Sequence, residues 1–203
     1  MKTSHHLVEF YGETIDTTVT NEASTAEHWI QSSIINWSNQ HGVLNRIVGI
    51  DFKFIRHPIV SMSNKIALMQ LCVGTKCLVL QLLHMDYIPQ SIRDFLCDDS
   101  RTTFVGVRIL ENSRKLSDEY EIIVKQKVDV HFLAKRWFPL SYKGRPTLRS
   151  LANGIVGFPK RVIENRNKKG DWESRVLDNE LVDQACVDVY TCYSIGHRVL
   201  TDD

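Results

Sequence analysis

Leu7, Glu9 and Tyr11 alternate with Val8 and Phe10 near the start of the chain, Gly12-Glu13 interrupts them, and Ile15 to Val19 resumes the alternation. A period of two broken by a short turn predicts a β-hairpin over His6 to Thr20. Asn21 or Ser24 can cap the next element, a helix in which Ala26, Trp29, Ile30, Ser33, Ile34 and Trp37 recur at helical spacing. That spacing sets Trp29 and Trp37 near one face, for packing on a sheet or, as the second reading, for stacking on bases. Ile47 to Phe54, Ile66 to Cys72 and Cys77 to Leu83 read as three strands, the last two joined at Gly74-Thr75. Short connections make them an antiparallel meander. Pro89 suits the first turn of a helix through Ile92, Phe95 and Leu96. The pattern then alternates. Thr103 to Val107 predicts a strand, Arg114 to Leu116 a helix, Val128 to Val130 a short strand and Phe132 to Trp137 a helix. Thr147 to Ile155 predicts a helix ending near Gly157, and Leu181 to Leu200 a closing amphipathic helix. Three strands followed by alternating helix and strand predict a mixed-sheet α/β domain.

Composition adjusts this picture little. With 203 residues, 43% of them hydrophobic, the chain reads as one domain over residues 1–203. A net charge of +1 advertises no broad phosphate-tracking surface, so any polyanion site must be local. The stretch from Lys160 and Arg161 through Arg166, Lys168 and Lys169 to Gly170 is basic; it reads as a solvated loop or as one that contacts phosphate. The five cysteines form no CxxC pair. Buried free thiols in a reducing compartment, cytoplasm or nucleus, are the expectation. No basic-then-apolar leader opens the sequence, no apolar run approaches a bilayer span, and no membrane partner is expected. Asn36-Trp37-Ser38 matches a glycosylation sequon and is read as chance.

Two residues break the apolar pattern in a way that asks for chemistry. Asp51 lies mid-strand beside Gly49, and Asp188 lies in an apolar helical run. An ionised carboxylate buried without a partner is costly, so a metal, a basic group or backbone donors must compensate each one. A pair of purely structural aspartates is the alternative.

Three segments give these aspartates a context: Val48-Gly49-Ile50-Asp51-Phe52-Lys53, then Phe104-Val105-Gly106-Val107-Arg108-Ile109-Leu110-Glu111-Asn112 with Lys115-Leu116 after it, then Gln184-Ala185-Cys186-Val187-Asp188. In order and spacing they resemble the three motifs of the DnaQ-like 3′-5′ exonucleases, within the DEDDy class and the plant branch related to the Werner-syndrome exonuclease domain. Ala67 to Leu71, Cys77 to Gln81, Asp129, Leu148 to Ala152 and Trp172 match further parts of that frame. The resemblance spans about residues 5 to 201. It implies an α/β fold of the DnaQ-like (ribonuclease H-like) type, a mixed β-sheet with helices on both faces. It also implies a catalytic group at Asp51, Asn112, Gln184 and Asp188, a Mg2+ or Mn2+ cofactor held by Asp51 and Asp188 if the chain is active, and substrate contacts from Phe52, Lys53, Lys160 and Arg161.

The matched positions depart from the family pattern. Lys53 stands where the first motif has a glutamate, on the same strand face as Asp51. Asn112 replaces an aspartate; it can offer an oxygen but no negative charge. Glu111 beside it points about 100° away on a helix and is no simple substitute. Gln184, one helical turn before Asp188, takes the place of the tyrosine that orients water, and glutamine is a poor general base. Two metal ions need several carboxylates, and an ammonium among them repels the ions. Lys53 is expected to pair with Asp51 or Asp188 in a metal-free centre. The resemblance and its gaps leave three functions. One is a noncatalytic or weakly active protein on single-stranded nucleic-acid ends, RNA favoured, with small-RNA machinery as a partner by resemblance. The second is an active 3′-5′ exoribonuclease whose site is atypical or completed by a neighbouring subunit. The third is a structural subunit of a homo- or hetero-oligomer. An unpaired edge at the N-terminal hairpin favours self-association.

Overall fold

The computed structural model describes residues 2–36, 45–55, 64–98, 101–137, 146–159 and 170–201. Seven strands form one sheet: β1 (Thr3–Phe10), β2 (Glu13–Thr20), β3 (Arg46–Ile55), β4 (Lys65–Val73), β5 (Lys76–Leu80), β6 (Thr102–Gly106) and β7 (Lys127–Asp129). Their spatial order is β1-β2-β5-β4-β3-β6-β7. β1 and β2 form the expected hairpin, and β3, β4 and β5 the expected antiparallel meander. β2 joins β5 in parallel, while β6 and β7 continue in parallel beyond β3. β4 is buried from Ile66 to Val73, as a central strand covered on both faces must be.

Helices cover both faces. On one side α1 (Ala23–Trp29), α2 (Gln90–Cys97) and α3 (Ile109–Tyr120) bury Trp29, Phe95 and Leu116 against Val48, Ile50 and Phe52 of β3 and Met69 and Leu71 of β4. On the other side the long C-terminal helix, α6 (Asn179–Thr201), packs Ala185, Cys186 and Val189 against Val8 and Phe10 of the hairpin and Cys72, Cys77 and Val79 of the sheet. α4 (Val130–Trp137) and α5 (Leu148–Val156) close a third apolar cluster with the far half of α6, around Leu133, Leu151 and Ile195. Thr147 caps α5 by accepting the Ser150 amide at 3.2 Å, and Gly157, at φ 78°, ends it in the left-handed region. Asp129 serves two helix starts: its carboxylate accepts the Ile109 amide of α3 at 3.3 Å and the His131 amide of α4 at 2.8 Å.

Three local expectations change. The helix after β2 continues as a π-helical segment, Ile30–Asn36, and the expected second tryptophan, Trp37, lies outside the described residues. Pro89 caps α2 from outside instead of occupying its first turn. The strand expected to run to Leu83 ends at Leu80, and Leu82–His84 forms a 3-10 turn. Gln81 turns the chain there, its side-chain amide donating to the carbonyls of Ser174 and Arg175. The cysteines are free; Cys72, Cys77, Cys186 and Cys192 are buried and Cys97 is half-buried. Among the described residues, no helix is long and apolar enough to cross a membrane.

Candidate active site

Strand alternation turns Val48, Ile50 and Phe52 toward one apolar layer and leaves Gly49, Asp51 and Lys53 on the face beneath α6. Gly49 then sets the distance. A Cβ there would collide with the Val189 carbonyl oxygen and with Tyr193, so α6 rests backbone to backbone on β3. Gly196 repeats the device farther along the helix, where a side chain would strike Val105 of β6. Asp188 precedes Val189 and is thereby lowered next to Asp51, although the two are far apart in the sequence.

Lys53 fills the space between them. Its Nζ donates to Asp51 Oδ2 at 2.7 Å and to Asp188 Oδ2 at 2.6 Å. The Lys53 and Asp51 side chains are only 11% and 13% exposed, and Asp188 is 23% exposed. The Trp172 ring lies 5.6 Å from Nζ, a cation–π contact that closes the centre from the loop before α6. The lysine therefore pairs with both aspartates, where the sequence led us to expect one or the other.

Charge in this group is redistributed by burial and proximity. Burial is the largest influence on Asp51 and raises its pKa above the ordinary 3.8; Lys53 opposes this and Asp188 adds to it. Burial alone would lower the pKa of Lys53, but attraction to Asp188 and then Asp51 raises it above the ordinary 10.5. Lys53 is thus a firmly held cation at neutral pH, and with both carboxylates ionised the triad carries one net negative charge.

Gln70 adds a feature the sequence did not single out. It lies directly across the ladder from Asp51, so both side chains share the α6 face. It is fully buried, and neither its amide nitrogen nor its oxygen has a hydrogen-bond partner among the described residues. The available signal was one polar residue in the apolar run Ile66 to Cys72, but its pairing with Asp51 comes from the tertiary register. Trp172 was legible as a frame residue and not as a contact of Lys53.

The other expected site residues take no part in the hydrogen bonds of the triad among the described residues. Phe52 is 4% exposed and packs in the opposite apolar layer, so its ring supports the strand from behind; that corrects the expected substrate contact. Asn112 sits in the first turns of α3 and donates its amide to the Val107 carbonyl at 3.1 Å. Glu111 is committed to Arg108 in an exposed ion pair, as its helical phase implied. Gln184 is half-buried one turn before Asp188 and joins none of the hydrogen bonds of the triad. Lys160 and Arg161 lie outside the described residues.

A pair of divalent ions does not fit this arrangement. Both remaining carboxylates are engaged by an ammonium, and among the described residues no group of three His, Cys, Asp or Glu side chains converges to hold a metal. Lys53 supplies the positive charge that metal ions supply in a two-metal centre, but it cannot act as a Lewis acid toward water or phosphate.

No family model matches the chain. It is 30% identical over 143 residues to a 3′-5′ exonuclease of Arabidopsis thaliana, covering 70% of this chain and 47% of that protein. The chain spans less than half the length of the curated relatives it matches. Among solved structures, Trypanosoma brucei RNase D in complex with GMP superposes with a TM-score of 0.70 at 15% identity, over 92% of this chain and 57% of that one. Brucella melitensis NrnC with bound Mg2+ gives a TM-score of 0.61 at 13% identity, over 78% and 74%. The chain is a distant relative of plant and other eukaryotic 3′-5′ exonucleases, with the DnaQ-like, ribonuclease H-like fold and without a complete metal-coordinating cluster among its described residues.

Proposed function

We propose that this chain binds the 3′ ends of single-stranded nucleic acid, RNA in preference, on an exonuclease frame that no longer performs two-metal hydrolysis. One observation carries the reading: the Lys53 ammonium holds Asp51 and Asp188 at 2.7 and 2.6 Å, at the positions that match the family's metal-binding carboxylates. Two of its three N–H groups are spent on the carboxylates. On this reading the third donates to a phosphate oxygen that enters past Asp188, the most exposed of the three, on the side that Trp172 does not cover. The RNA preference rests on the resemblance to the plant Werner-type branch and on the ribonuclease identity of the trypanosomal neighbour. A reducing compartment, cytoplasm or nucleus, suits five free thiols. Small-RNA machinery is the partner class that the same resemblance favours.

The test is a nuclease and binding assay on 5′-labelled single-stranded RNA and DNA in Mg2+ and in Mn2+, with Asp51→Asn run beside the wild type. The expected result is binding without shortening in either ion, with binding weakened in Lys53→Glu. Shortening from the 3′ end that disappears in Asp51→Asn overturns the proposal and makes the chain an enzyme with an atypical or shared site.

A further inference from the structure

We propose that a second cavity, which shares a loop with the Lys53 centre, is a subsite for one nucleotide of the single strand upstream of the bound end. This rests on the end-binding reading above. The cavity measures about 390 Å³ and lies between the N-terminal arm, the turn after β2, the segment after β5 and the loop before α6. That volume falls in the range of small-molecule sites, roughly 300–1,000 Å³.

Its lining has the chemistry of a nucleotide. Lys2 and Arg175 are exposed cations whose side chains have no ion-pair or hydrogen-bond partner among the described residues. Tyr87, which also lines the cavity, is 65% exposed, so its ring is open to a ligand there. Two carboxylates, Asp86 and Glu22, also face the cavity, and Glu22 is already engaged by the Thr3 hydroxyl at 2.7 Å. A bare phosphate would meet these carboxylates as well as the cations. A nucleotide satisfies both, with phosphate oxygens for Lys2 and Arg175, a base face for Tyr87, and sugar hydroxyl or base amino donors for Asp86.

The cavity is also tied to the centre. His84 Nε2 donates to the Glu173 carbonyl at 2.7 Å, and the Gln81 amide holds the carbonyls of Ser174 and Arg175 at 3.1 and 3.3 Å. The loop pinned this way presents Arg175 to the cavity and, three residues earlier, Trp172 to Lys53. One short segment therefore contacts both places, as a strand running from one to the other requires.

The experiment is a length series of single-stranded RNA, from dinucleotide to octamer, bound by the full chain and by Tyr87→Ala, Arg175→Ala and Lys53→Glu, with Lys53→Gln as a milder form of the last. Tyr87 and Arg175 are exposed, so their loss leaves the core intact. The subsite predicts that affinity rises with length in the wild type. It predicts that Tyr87→Ala weakens octamer binding about fivefold or more while dinucleotide binding is unchanged. Arg175→Ala should lower the slope of log affinity against log salt by about 0.7, which Tyr87→Ala should not. If the Lys53 variants weaken binding and the Tyr87 and Arg175 variants match wild type at every length, the subsite is refuted and the end-binding reading stands. If the Tyr87 and Arg175 variants weaken octamers and the Lys53 variants do not, the cavity binds a nucleotide but not as a subsite upstream of an end held at Lys53, and both the proposal in this form and the end-binding reading fall. No binding at any length refutes both.

Discussion

Replacing Lys53 with methionine keeps most of the side-chain volume and removes the cation from between two carboxylates. Because Lys53, Asp51 and Asp188 are 11%, 13% and 23% exposed, water screens the exposed group poorly. Removing one partner of a buried ion pair costs about 3–5 kcal/mol. Asp188 is the wettest of the three and Asp51 can take up a proton, so the expected loss near pH 7 is at the low end, about 3 kcal/mol. That corresponds to a fall in Tm of roughly 6–12 °C for a chain of this size. The pH dependence gives the sharper check. Without the ammonium, burial and Asp188 raise the Asp51 pKa unopposed, farther above the ordinary 3.8. The folded variant then keeps a proton that the unfolded chain releases, so its deficit grows as pH rises through that window and shrinks as pH falls toward 3.8. Urea denaturation of wild type and Lys53→Met at about pH 4.5 and about pH 7 reads this directly. A variant as stable as wild type near neutrality, or a deficit that does not shrink in acid, would show that the lysine does not hold the two aspartates together.

Gln70→Met should raise stability by about 1–3 kcal/mol, because it removes a buried amide that has no partner among the described residues and keeps its length; thermal unfolding checks it, and a loss of stability would mean the amide is bonded in solution. Gly49→Ala should cost about 3 kcal/mol or prevent folding, since the methyl group meets the backbone of α6 at Val189 and Tyr193; circular dichroism and denaturant titration measure it. Asp129→Ala should cost about 1–3 kcal/mol by uncapping the starts of α3 and α4, with faster amide exchange at Ile109 and His131. In alkali the wild type should lose the stabilisation contributed by Lys53. Its folded pKa lies above 10.5, so that contribution is full below about pH 10.5 and declines as pH climbs through the folded value; Lys53→Met should lack this phase in a pH-melting series.

Nearly every element could be read from local pattern. The alternation of Leu7 to Tyr11 gave the hairpin, the apolar runs gave the meander, and Thr147 and Gly157 bracket α5 because capping chemistry is local. Two elements were harder. The π-helical segment after Trp29 has no distinct sequence signature, and the end of β5 depends on Gln81 bonding a loop more than ninety residues away. Asp51 and Asp188 stood out because an isolated carboxylate in an apolar run demands compensation, and the motif order allowed them to meet. Phe52 was misassigned because a residue between two site positions on a strand points to the opposite face, where the apolar layer takes it.

The sequence by itself determined the elements, the two buried aspartates and the lysine that breaks the motif, since those come from periodicity and from the cost of an unpaired charge. Only the tertiary structure decided that Lys53 reaches both aspartates at once, that Gln70 lies across the ladder from Asp51 without a hydrogen-bond partner among the described residues, and that the Trp172 ring lies over the ammonium. Those relations depend on how α6 seats on Gly49 and how β4 registers on β3, and both are set by contacts between segments far apart in the chain.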